Sequence, residues 1–295
     1  MPADIAKGLE YVEVTLLFVA SIIFWWQPLA STLKLALSSD SYTHILLILP
    51  ISIALIVAND RHSFVSSSKL VKWPGLVLLS TAALLRVALV WGHVDLSASD
   101  ALCINILALV LWWIGSVAVC FGAYALQSNR FALCFLLLFV PLPDAALNRI
   151  VEGLQNTSAA ATEIMFRIAQ VPVTRDGIVL SIPGLDIEVA RECSSIRSST
   201  MLVVLTLVLA HLFLCSKWRK ILLILLAIPL SIAKNAARIF TIAELATRVD
   251  PSYLDGRLHH QGGVVFLGLA VLVTVLLLWF LRKGESRTEA SPSVT

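Results

Sequence analysis

Three short segments of this sequence hold side chains able to do covalent chemistry. The first is Glu192-Cys193-Ser194-Ser195-Ile196-Arg197-Ser198, where a thiol stands just before an apolar run. If that run is a helix, its unpaired backbone N–H groups and positive dipole end favour a Cys193 thiolate, and Ser194 or Ser195 can cap it. The second is Lys234-Asn235-Ala236-Ala237-Arg238, inside another apolar run. Residues four apart share one helix face, so Lys234 and Arg238 point the same way. The third is Leu258-His259-His260-Gln261-Gly262-Gly263, leading into a third apolar run. Together they offer a nucleophile, a fixed positive charge and a proton carrier that works near neutral pH. Acyl transfer needs those three functions: attack, oxyanion stabilisation and proton shuttling. Adjacent histidines also suggest a metal, but no carboxylate or Cys stands at ligand spacing, so no metal is expected.

The elements that must position these residues are membrane spans. Of 295 residues, 58% are hydrophobic and only 14% charged, against roughly a quarter charged in a soluble domain. A bilayer core needs about 20 apolar residues per helix. The candidate spans are 9–28, 42–58, 73–91, 101–126, 131–143, 195–215, 220–242 and 262–282. The fifth is short and ends at Pro141 and Pro143. Charge argues that it crosses nonetheless. With eight crossings, Lys7, the Arg61/Lys69/Lys72 group, Arg130, the Lys217/Arg219/Lys220 group and the Arg282/Lys283/Arg287 group all fall on one side, the pattern of cytoplasmic loops. Both termini are then cytoplasmic, and the three reactive segments lie on the outer side. The first apolar run reads as a retained helix, not a signal peptide.

One long outer connection remains, about 144–192. Its first part, Ala145–Gln170, has helical spacing of apolar residues, as in one or two amphipathic helices on the membrane surface. From Val171 the period changes to alternation, with Asp176-Gly177 and Pro183-Gly184 as turn signals, which predicts a small β-meander. The expected fold class is therefore all-α polytopic, about eight transmembrane helices with an extracytoplasmic helix-plus-β insertion before the sixth span. Residues 1–282 form one catalytic membrane domain and 283–295 a cytoplasmic tail. Of five cysteines, Cys103, Cys120, Cys134 and Cys215 read as small buried hydrophobes. Arg86, within span three, reads as a substrate or salt-bridge contact.

On Cys193-Ser194-Ser195-Ile196-Arg197-Ser198, on Asn235-Ala236-Ala237-Arg238 and on His259 with Gly263 four residues later, the sequence resembles the exosortase/archaeosortase family of membrane-embedded cysteine transpeptidases. The resemblance covers roughly residues 40–282. It implies a catalytic triad of Cys193, Arg238 and His259, supported by Arg197, Asn235, Ser194 and His260, and no cofactor. It implies exported protein substrates with a C-terminal sorting signal: a short motif such as Pro-Glu-Pro, a hydrophobic helix, then basic residues. The acceptor of the new C-terminus stays open. The location implied is the bacterial cytoplasmic (inner) membrane, with the active site facing the periplasm or outside. One departure is Ser195, where the family usually has Gly, which would let substrate backbone come close. The His role stays open by one residue; the spacing to Gly263 favours His259 over His260.

Nothing here suggests nucleic-acid binding: the net charge is +3 and no basic run stands out. The alternative class is a transporter or lipid-linked glycan handling protein whose charges line a polar cavity. It predicts that Cys193→Ser is tolerated. A scaffold that docks partners on the outer insertion is a third reading.

Overall fold

The computed structural model describes residues 2–59, 72–92, 95–189, 196–254 and 257–289; for residues 2–11, 123, 253, 254, 257–262 and 286–289 it describes the backbone alone. The chain packs as two compact units, 1–147 and 148–295.

The first unit contains α1 (Pro2–Phe24), α2 (Trp26–Ser38), α3 (Ile45–Ala58), α4 (Trp73–Trp91), α5 (Ala98–Ser128) and the six-residue α6 (Arg130–Phe135), which tightens into a 3-10 turn, Leu136–Phe139. The span expected at 9–28 is not one helix. It breaks at Trp25, and α2 leaves α1 at 75°. Pro28 is the cause: it stands four residues after Phe24 and has no N–H to offer that carbonyl, and its ring crowds the turn before it. The stranded Phe24 carbonyl accepts instead from Arg86 Nη2 on α4, at 3.2 Å. Arg86 Nη1 donates to Asn105 Oδ1 on α5 at 2.8 Å, and the guanidinium lies 5.6 Å from the Phe24 ring centre. Arg86 is thus no salt-bridge partner among the described residues; it closes a helix break. Two tryptophans of α5 hold α1 in register: Trp112 Nε1 donates to the Leu17 carbonyl and Trp113 Nε1 to Ser21 Oγ.

At Gly75, α4 approaches α5 too closely for a side chain to fit between them. A Cβ on Gly75 would lie 2.7 Å from Val119 Cγ2 and 2.8 Å from the Val119 backbone nitrogen. Backbone cannot yield as a flexible side chain can. Gly75→Ala is therefore expected to destabilise the protein by about 1–3 kcal/mol, the usual penalty for overpacking. The control is Gly153→Ala in the second unit, where nothing lies within 4 Å. There the gain in helix propensity alone acts, and stability should hold or rise slightly. Thermal unfolding of the purified variants measures both; equal shifts would refute the tight crossing.

The span expected at 131–143 is α6 plus its 3-10 turn, ten residues that rise only about 15–20 Å and cannot cross a hydrocarbon core of about 30 Å alone. Among the described residues six helices are long and apolar enough to cross, or up to eight if the broken pairs Val12–Phe24 with Trp26–Ser38 and Arg130–Phe139 with Asp144–Ile168 each count as one span. Cys120 is buried and Cys103 half-buried, as apolar residues, but Cys134 and Cys215 are exposed. Cys134 lies on the exposed side of α6, and Cys215 lies in a turn, so membership of an apolar run did not imply burial.

The second unit begins within α7 (Asp144–Ile168) and continues through β1 (Thr174–Asp176), β2 (Val179–Ile182), β3 (Leu185–Glu188), α8 (Ile196–Phe213), α9 (Lys217–Arg248) and α10 (Arg257–Glu289). The expected meander is present: three antiparallel strands in order β1-β2-β3, with Arg175 opposite Leu180 and Leu180 opposite Ile187. Both turns have two residues. Gly177 (φ 60) opens the first, and Gly184 (φ 84) follows Pro183 in the second, positions that favour glycine. Leu180 and Ile182 point inward, and with Val189 they pack on Ala159 and Phe166 of α7 and on Ile239 and Ala243 of α9. The sheet therefore buries its one apolar face against the late half of α9.

At the opposite end of α9, α10 clamps the α8–α9 turn. Ala210, Leu214, Leu223 and Leu278 form a core there, and Arg219 Nη1 donates to the Leu281 carbonyl at 2.9 Å. The Glu285 carboxylate accepts from the Cys215 and Ser216 N–H groups, the latter at 2.8 Å. A side chain from α10 thus satisfies the two backbone donors at the entry to α9, whose N-cap, Ser216, makes no side-chain capping bond.

Candidate active site

Helix α9 has 32 residues, about 48 Å of length against a hydrocarbon core of about 30 Å. Counting from Lys220, Lys234 lies about 21 Å and Arg238 about 27 Å along the axis. Both therefore stand near the far face of the bilayer from the Lys217/Arg219/Lys220 cluster. Helices α8 and α9 are joined by three residues, so they run antiparallel, and the first turn of α8 returns to this same level. Counted from the Glu285 clamp, Gly263 of α10 comes level with Arg238, and the first residues of α10 lie about one to two turns further out.

Lys234 is 6% exposed and Arg238 8%, unusual burial for two cations one helical turn apart. Their surroundings are polar. Lys234 Nζ donates to Ser198 Oγ in the first turn of α8, which registers that helix against α9. Asn235, 1% exposed, donates through Nδ2 to Ser158 Oγ of α7 at 2.9 Å. Gln155 of α7 donates through Nε2 to the Val189 carbonyl at 2.7 Å. Arg197 sits in the first turn of α8 and is exposed.

Of the apolar residues whose spacing predicts α7, Ile150, Ile164 and Ile168 are exposed, whereas Leu147 and Val151 are buried. The buried stripe is Leu147, Val151, Gln155, Ser158, Ala159, Thr162 and Phe166, of which Gln155, Ser158 and Thr162 are polar. Gln155, Ser158 and Thr162 recur at helical spacing, so the stripe was readable, but only tertiary contact shows that it faces Asn235. Ser158, Gln155 and Ser198 are the residues sequence reasoning missed.

Of the sequence-predicted residues, Arg238, Asn235 and Arg197 are described. Cys193 and Ser194 lie outside the described residues, as do the side chains of His259 and His260, whose backbone forms the start of α10. The segment 190–195 is bracketed by two fixed points. Before it stands Val189, fully buried, its carbonyl held by Gln155 and its N–H by the Ile178 carbonyl at 3.0 Å. After it stands α8, tied to Lys234 through Ser198. Both points belong to elements packed on α9 around Arg238. Chemically, the described part supplies fixed positive charge in a low-water setting, where a developing oxyanion is stabilised far more than in bulk solvent.

Neither the curated proteins nor the solved structures yield a significant match to this chain. The family model described as transmembrane exosortase matches residues 25–279, from the break at the end of α1 to the last third of α10. That match takes in α2 after the break, the α7-and-meander insertion, α8, α9 and most of α10, and the chain accordingly belongs to the transmembrane exosortase family.

Proposed function

We propose that this protein is a cysteine transpeptidase or protease that cuts exported proteins near a C-terminal sorting tail through a thioester on Cys193. Family membership makes it, in general terms, a membrane transpeptidase or protease of sorting signals. The observation that carries the finer reading is the pair of buried cations, Lys234 and Arg238, beside the first turn of α8, which begins three residues after Cys193.

In this reading the Cys193 thiolate attacks the scissile carbonyl carbon. The carbonyl oxygen takes up the electron pair and is stabilised by Arg238. His259 gives a proton to the leaving nitrogen as the C–N bond breaks, leaving an acyl thioester. His259 then takes the proton of a second nucleophile, an amine, hydroxyl or water, which displaces the thiolate. Asn235, held by Ser158, keeps α9 fixed in rotation. The site faces the periplasm or outside, both termini are cytoplasmic, and the substrate's tail is a hydrophobic helix with a basic end. The arrangement of Lys and Arg along the sequence supports that orientation.

The test is reconstitution in vesicles with a tail-bearing substrate, read by intact mass. The expected result is loss of the tail at a single bond and a covalent adduct on the enzyme that hydroxylamine removes. A substrate that keeps its full mass refutes the reading. In the same assay His259→Ala is expected to slow processing about 100- to 10,000-fold, the range for losing a general acid–base, with His260→Ala far milder. The reverse order would move the role to His260.

A further inference from the structure

The first unit carries a cavity of about 760 Å³ that the catalytic reading does not use. It lies between α1 and α4, beside the helix break, and is lined by Ile23, Phe24, Ala83, Val87, Val90 and the one charged residue, Arg86, among others. Ile23, Val87 and Val90 are all substantially exposed, so the cavity opens sideways, towards the lipid.

Arg86 is the informative part. Its two hydrogen bonds go to neutral acceptors, the Phe24 carbonyl and the Asn105 amide oxygen, and use two of its five N–H groups. Its Nε is buried with no partner among the described residues. No carboxylate pairs with it among the described residues. A neutral donor such as glutamine would satisfy the Phe24 carbonyl as well. A full charge within a membrane span is expensive unless an anion or water meets it. Arg86 stands five residues before Trp91, about 7–8 Å below the end of α4. Trp91 is 79% exposed, as expected of an aromatic residue at the membrane–water boundary. The Arg86 guanidinium, held on the Phe24 carbonyl and on Asn105, stands about two turns inside the start of α5, at the depth where a lipid phosphate drawn down from the headgroup layer meets it.

We propose that this groove is a phospholipid site: the phosphodiester lies on Arg86 and one acyl chain fills the apolar cleft between α1 and α4. A guanidinium presents parallel N–H groups that match two phosphate oxygens, and the cleft supplies the apolar wall that a free phosphate would not need.

A photoreactive benzophenone amino acid placed at Val90 of the full chain tests this in vesicles of equal parts phosphatidylglycerol and diacylglycerol with identical acyl chains. After irradiation, intact mass should show the phosphatidylglycerol adduct in at least about tenfold excess over diacylglycerol. Arg86→Gln should bring the two towards parity, since the cleft remains and the charge is gone. Ala83→Phe, which fills the cleft and keeps Arg86, should reduce both adducts at least about fivefold. Parity in the unsubstituted protein would overturn the proposal. So would a peptide adduct in cells in place of a lipid, which would make the groove a helix-docking surface. An undiminished yield in Ala83→Phe would also overturn it. The first comparison needs no substitution of Arg86, so loss of folding in Arg86→Gln cannot mask the answer.

Discussion

Cys193→Ala is expected to abolish processing, by at least about 10,000-fold, while the protein remains folded and membrane-inserted. Loss of a nucleophile removes the covalent route entirely, and what persists comes only from binding and oxyanion stabilisation. Cys193→Ser should be nearly as inactive. A serine hydroxyl is a far poorer nucleophile than a thiolate without a base placed to activate it. The second substitution separates the enzyme from the transporter alternative, in which a serine of similar size and polarity would serve. The measurement is the single-turnover rate of tail loss in vesicles, with thermal unfolding as the folding control. Processing by Cys193→Ser within tenfold of the starting protein would remove the thioester mechanism.

Arg238→Gln is expected to lower the rate about 100- to 1000-fold, the range for removing one oxyanion donor. Glutamine keeps hydrogen-bonding capacity and most of the length but not the charge. Because the oxyanion exists only in the transition state, kcat and kcat/KM should fall together. A change in KM alone would instead make Arg238 a substrate-binding group. Arg238→Lys keeps charge without the planar fork and should fall between the two. Stability is the necessary second reading, since Arg238 is 8% exposed and Ile239, next to it, packs under the meander. A Tm loss of more than a few degrees would assign the effect to folding. Lys234, one turn away and bonded to Ser198, gives an internal comparison: Lys234→Met should loosen the start of α8 and lower activity less than Arg238→Gln.

The membrane class, the α7 insertion and the meander were legible in the sequence because each depends on local pattern. Apolar run length, a change of period at Val171 and two Gly-containing turns are properties of neighbouring residues, and the strands form where they predict. The break at Trp25 had its signal too, Pro28, but the unbroken hydropathy of the run concealed it. The short span at 131–143 was placed by charge, and charge says which side a loop occupies without saying whether one helix or a broken pair makes the crossing.

The sequence by itself determined that this is a multi-span membrane protein with Cys, Arg and His segments at matching ends of its last three long apolar runs. Those follow from hydrophobicity and from the alternation of direction that crossing imposes. Only the tertiary structure decided what holds Arg238 and Lys234 in place. Ser198 meets Lys234 from 36 residues away, and Ser158 meets Asn235 from 77 residues away. It likewise decided that Arg86 caps a broken helix 62 residues distant. Such pairings depend on which helix faces pack, and a buried polar group takes whatever partner packing brings to it. Local residue order does not encode that choice.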